Sequence, residues 1–169
     1  MEQFIIEGLR ALSGSEPAAM LRQSFWVYPI VNATHILGIA LLVGGILPLN
    51  LRLMGFLQRA SVALLAKVCV PIAATGLGLA IISGLMLFSV KSVDYVYTDI
   101  FLAKLALIGA ALINIVMVRH NASWREMVQA EDSIKNTSEP DAKLRIAGAI
   151  SLVIWIAVLF LGRFVGYFM

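Results

Sequence analysis

The sequence predicts an all-α fold, an integral membrane four-helix bundle preceded by a short amphipathic N-terminal helix lying in the membrane interface. Three observations lead there. The chain is 60% hydrophobic and 14% charged, against roughly 25% charged in ordinary soluble domains, and its mean hydropathy is +0.91. It contains four apolar runs that each approach the ~20 residues a helix needs to cross a bilayer. The charge it does carry collects at the ends of those runs and in one hydrophilic stretch at about 119–144. Residues 1–169 are read as a single membrane domain.

At the start, Phe4, Ile5, Ile6, Leu9 and Leu12 fall on one side of a helix, with Glu2, Glu7 and Arg10 elsewhere, the pattern of a helix lying on a membrane surface. Ser13-Gly14-Ser15 breaks it, and Ser15-Glu16-Pro17 has the composition of a cap opening another short helical turn. Two glutamates precede any long apolar run, so no cleaved targeting segment is expected. The first span is expected at about 25–50, with Trp26 and Tyr28 suited to the water–lipid boundary and Pro29 in the first turn, where a missing N–H does little harm. The second span, about 62–89, contains Pro71, a candidate kink. Its Gly76, Ala80 and Gly84 recur every four residues, a small-residue ridge that admits another helix or a flat ligand.

A short polar connection carrying Tyr95 and Tyr97 leads to the third span at about 100–118. In the long loop that follows, Trp124, Met127 and Val128 suggest a surface helix, and Asn136-Thr137-Ser138-Glu139-Pro140 a break. The last span, about 145–167, closes on Gly162 and Gly166 in GxxxG spacing, a common and weak helix-contact signal. Eight of the thirteen lysines and arginines fall on the side of the long loop. The positive-inside rule therefore puts that loop in the cytoplasm and both termini outside.

Composition also excludes. No basic tract interleaves with aromatics, so nucleic acid is not an expected partner. The one cysteine, Cys69, rules out an internal disulfide and a CxxCH attachment for covalent haem. There is no GxSxG, P-loop or HExxH motif, and no carboxylate cluster within the spans to furnish a hydrolase.

Chemistry is confined to a few costly residues. His35 lies nine residues beyond Trp26, roughly 13 Å into the membrane at 1.5 Å per residue. An imidazole there needs a partner, either a cofactor it ligates or a neighbouring polar group such as Thr34 or Asn32. Gly38, Ala40, Gly44 and Gly45 thin the same helix. Lys104 enters the third span early and could snorkel outward. With Arg163, at the same end of the bundle, it could instead meet an anionic group, for which Asp94 and Asp99 are rival partners. Met86 is a candidate second axial ligand. His120, at the far end of the third span, is expected to be a solvated histidine. Asn114 is expected to hydrogen-bond between helices.

The stretch YPIVNATHILGIALLVGGILPLNLRLMG, Tyr28 to Gly55, closely resembles an uncharacterised family of small four-span bacterial membrane proteins. More distantly, the layout resembles HemJ-type protoporphyrinogen oxidases and CopD-like copper-resistance membrane proteins. The shared features are His35 followed by Gly38, Gly44, Pro48 and Arg52, then Pro71 opening a glycine-containing second span, and Lys104 early in the third. The HemJ resemblance implies haem b, His35 as its ligand and Lys104 as a pocket residue. Where those proteins carry a histidine soon after the lysine, this chain has Val116, and the oxidase activity is not carried over.

Three functional expectations follow. The first is a haem b-binding protein of the bacterial inner membrane, acting in electron transfer or as the membrane subunit of an oxidoreductase. The site would be His35, Lys104, Arg163 and Met86, and the partners the lipid bilayer with a redox partner or larger membrane complex. The second is a CopD-like protein binding or moving a metal or small solute through His35. The third is a cofactor-free structural subunit, its small-residue ridges serving a partner or a second copy in a homo-oligomer.

Overall fold

The computed structural model describes residues 2–129 and 139–168. It is an all-α four-helix membrane bundle with short helices at its ends. The four long helices are α3 (Val27–Met54), α4 (Val62–Val90), α6 (Asp99–His120) and α8 (Ala142–Phe168), each long and apolar enough to cross a membrane. Two short helices precede them, α1 (Glu2–Ser13) and α2 (Glu16–Gln23). Two more fill connections, α5 (Ser92–Val96) and α7 (Ala122–Gln129). In hydrocarbon the backbone must satisfy its own hydrogen bonds, so the apolar runs stay helical through their prolines: Pro48 lies inside α3 and Pro71 inside α4.

Helix ends fall where local chemistry can close them. Gly55 adopts φ 96°, and its N–H donates to the Arg52 carbonyl while that of Phe56 donates to Leu51. This is the doubly bonded Schellman terminus that favours glycine. The Ser61 side chain accepts from the Leu64 N–H at the start of α4. Asn121 does the same for Ser123 and Trp124, and Asp141 for Leu144 at 2.7 Å. At Ser15 the expected cap differs in detail, because its hydroxyl donates back to the Leu12 carbonyl at 2.7 Å and caps no N–H of α2. The expected surface helix around Trp124 is α7, with Met127 buried. Of the expected break, Asn136, Thr137 and Ser138 lie outside the described residues.

Arg52 departs from its expected place. The sequence puts it in the connection after the first span. Instead α3 continues to Met54, and Arg52 is buried, 2% exposed, with its Nε donating to the Ala60 carbonyl at 2.7 Å. The connection between α3 and α4 is tied to the helix that precedes it.

The tightest packing is α3 on α4; α6 packs on α8, and α8 joins the two pairs through α3. Small residues set the α3–α4 distance. A Cβ added at Gly76 would stand 2.4 Å from the Leu42 nitrogen and 2.7 Å from the Gly38 oxygen. One at Gly45 would stand 2.9 Å from the Ala73 nitrogen. The Gly76–Ala80–Gly84 ridge therefore faces α3. One core cluster gathers Leu42, Ala73, Ala111, Trp155 and Val158; another, nearer α7, gathers Leu53, Val62, Met127 and Leu144. No extended contact joins α4 to α6, and the side of the bundle between them is where its cavities lie. The N-terminal helices are held at the end of α4, where Ser92 donates to the Leu9 carbonyl at 2.8 Å and bonds Ser13 at 2.7 Å.

Candidate functional site

Between α4 and α6, at the end of the bundle nearer the start of α3, lies a cavity of about 370 Å³, within the ~300–1,000 Å³ range of small-molecule sites. The wall from α4 is a single helical stripe, Leu77, Ala80, Ile81, Gly84, Leu85 and Phe88, at the three- and four-residue spacing of one helix face. His35 enters from α3, Lys104 from α6 and Trp155 from α8. Of the residues that line the cavity, Ile81, Leu85, Leu102 and Leu105 are also exposed on the outside of the bundle. The cavity thus opens sideways through the gap between α4 and α6. Stacked rings close its end: Phe88 and Phe101 lie 5.4 Å apart and nearly parallel, with Tyr95 5.2 Å from Phe101. Burial, and then the neighbouring Tyr28, push the Tyr95 phenol above its ordinary pKa.

The imidazole is held in a defined way. His35 Nδ1 lies 3.1 Å from Ser83 Oγ, and Ser83 Oγ in turn lies close against the Leu79 carbonyl. Two oxygens in such contact share a proton, and the hydroxyl has only one to give. Ser83 therefore donates to Leu79 and accepts from His35 Nδ1–H. In the neutral ring this fixes the tautomer and leaves the lone pair on Nε2. Glycine at position 84 is part of the arrangement, because a Cβ there would stand 3.1 Å from His35 Cε1.

Two further residues that line the same space carry polar groups without partners among the described residues. Lys104 is half-buried and makes no hydrogen bond or ion pair among the described residues. It lines the same cavity as His35. Its ammonium occupies room left by Gly162, where a Cβ would stand 3.5 Å from Nζ. Trp155, 3% exposed, has an indole Nε1–H with no acceptor among the described residues. A buried donor left unpaired costs about 1–3 kcal/mol.

Of the sequence-expected site residues, His35 and Lys104 are brought together, and Met86 and Arg163 are not. Met86 falls off the lining stripe of α4 and points outward, 37% exposed. Arg163 lies one turn beyond Leu159 toward the end of α8, exposed and outside the lining. Neither Asp94 nor Asp99 pairs with either cation among the described residues. His120 is exposed at the opposite end of α6 and donates to the Val116 carbonyl of its own helix at 2.8 Å. Asn114 bonds across helices as expected, donating to the Ala147 carbonyl at 3.1 Å. Sequence reasoning missed Ser83 and Trp155. A serine inside an apolar helix gives little warning, but a tryptophan far from the interface belt it usually occupies does. Among the described residues no three histidines, cysteines or carboxylates converge as a metal cluster.

Fold and cavity together define a four-helix membrane protein with a side-opening cavity, furnished by one oriented imidazole and one ammonium that is unpaired among the described residues. No family model, curated protein or solved structure matches the chain.

Proposed function

We propose that this is a haem b-binding integral membrane protein, acting in electron transfer or as the membrane subunit of an oxidoreductase. The observation that carries the proposal is the relay from His35 Nδ1–H through Ser83 to the Leu79 carbonyl. It presents Nε2 with a free lone pair beside an apolar cavity, as neutral imidazoles are held when they ligate iron. Trp155 lines that cavity and its buried Nε1–H has no acceptor among the described residues, which supports a resident group with acceptor atoms nearby. Haem b would supply one-electron exchange there. His35 would ligate it, Lys104 would neutralise a propionate, and the Phe88–Phe101 pair would keep water from that end. Met86, being outside the cavity, is not part of the proposed site. A bacterial inner membrane is proposed on the resemblance to small four-span bacterial membrane proteins, and an orientation with both termini outside on the distribution of lysine and arginine.

The test is the absorption spectrum of protein purified from haem-replete cells, oxidised and then reduced. A Soret band is expected in the wild type and in His120→Ala, but not in His35→Ala. A colourless preparation would sink the proposal. Copper held through His35 without a Soret band would select the CopD-like reading instead, and a stable larger complex with no cofactor in this chain the structural-subunit reading.

A further inference from the structure

At the other end of the bundle, an open groove of about 740 Å³ runs between the first turns of α4 and the α6–α7 corner. Three cations line it: Lys67 from α4, Arg119 from the end of α6 and Arg125 from α7. Among the described residues no carboxylate lines it and none of the three pairs with an acid. The corner is fixed by Arg125 Nε, which donates to the Arg119 carbonyl at 3.3 Å, and by Asn121 capping α7. Exposed Leu64 and Val128 give the groove an apolar margin.

This groove adjoins a second cavity. A space of about 250 Å³ lies inside the bundle, lined mainly by aliphatic residues of all four long helices, among them Leu49, Ala74 and Leu112. Val70, Arg119 and Trp124 line both spaces. A cluster of positive charge is thus continuous with an apolar compartment, at an end of the bundle where a bilayer surface would lie. Phosphate chemistry suits the first and hydrocarbon the second. We infer that this is a binding site for an anionic phospholipid, its phosphate among Lys67, Arg119 and Arg125 and an acyl chain entering past Trp124. Basic pockets between membrane helices are a recurrent way of holding such headgroups. Among the described residues the apolar compartment shares only Leu42 and Leu77 with the His35 cavity, and the basic groove shares none.

The test uses the purified full-length protein in neutral detergent, reading the thermal unfolding midpoint as lipid is added. Phosphatidylglycerol should raise the midpoint in a saturable way, whereas phosphatidylcholine and glycerol phosphate should not. Each of Lys67→Gln, Arg119→Gln and Arg125→Gln should weaken the response about fivefold, as expected for one cation near a charged headgroup. Ala74→Phe, which crowds the apolar compartment but leaves the charges, should weaken it as well. Equal shifts with phosphatidylcholine, or an undiminished response in the triple glutamine variant, would overturn the inference. So would a full response to glycerol phosphate, which would mean a free phosphate site. Repeating the titration in His35→Ala separates this site from the haem reading, since the response should persist there.

Discussion

Gly76 and Gly78 lie two residues apart in α4, and replacing each with alanine should have opposite effects. At Gly78 nothing lies within 4 Å of an added Cβ, so the substitution only stiffens the helix, a gain of up to about 1 kcal/mol. At Gly76 the same atom meets the Leu42 nitrogen at 2.4 Å, the Gly38 oxygen at 2.7 Å and the Leu41 Cβ at 2.8 Å. Ordinary contact begins at 3.4 Å, so α3 would have to retreat by about 1 Å, and the obstructing atoms are largely backbone that cannot rotate away. Overpacking of this kind costs about 1–3 kcal/mol. Both variants carry the same gain in helix propensity, which cancels in their difference. Gly76→Ala should therefore unfold more easily than Gly78→Ala by about 1–3 kcal/mol, measured as denaturant midpoints in mixed micelles. A retreat of α3 would also loosen the His35–Ser83 bond, so any His35-dependent spectrum should change in Gly76→Ala alone. Equal stability of the two variants would refute the close α3–α4 approach and the geometry built on it.

Ser83→Ala removes the acceptor for His35 Nδ1–H; under the proposed haem-binding function it should weaken haem retention about 10–100-fold, read by transfer of haem to an excess of apomyoglobin. Arg52→Met leaves the Ala60 carbonyl without its Nε–H donor. It should cost about 1–3 kcal/mol and expose the 55–61 connection to limited proteolysis. Trp155→Phe removes an unpaired N–H but leaves a small void, so ligand-free stability should change by less than about 1 kcal/mol. A much larger loss in thermal unfolding would mean the indole already has a partner. Because burial raises the Tyr95 pKa, its neutral form is favoured in the folded protein. Its contribution to stability is complete below pH ~10 and is lost as pH rises through the raised value. In an alkaline titration followed by phenolate absorbance, Tyr95→Phe should remove a phenol that ionises above the ordinary tyrosine range.

The spans were legible because hydrocarbon leaves the backbone one economical conformation, and runs such as Val62–Val90 announce it by composition alone. His35 and Lys104 were legible as groups that are expensive among such residues, and both line the cavity. What composition could not reveal was rotation. Helices apolar on every side do not declare which stripe meets a neighbour. The facing of Ser83 toward His35, and of Met86 away from the cavity, therefore emerged only from the packing of α4 on α3. Arg52 was misplaced for a related reason. A cation at the end of an apolar run reads as a marker of the water boundary, while its long side chain can fold back to satisfy a carbonyl eight residues on. Trp155 was overlooked among apolar residues because its indole looks like packing until its nitrogen is seen without an acceptor.

The sideways mouth of the His35 cavity changes what concentration means for this protein. Ile81, Leu85, Leu102 and Leu105 frame that mouth on the outer surface of the bundle, the surface that faces acyl chains when the four helices span a membrane. A ligand arriving by this route is delivered from the bilayer, and its effective dose is its mole fraction among the lipids. Diluting the sample with buffer would leave occupancy unchanged for a strongly partitioning ligand, whereas adding empty vesicles would lower it. Affinities at this site are therefore comparable between preparations only at a fixed ratio of ligand to lipid.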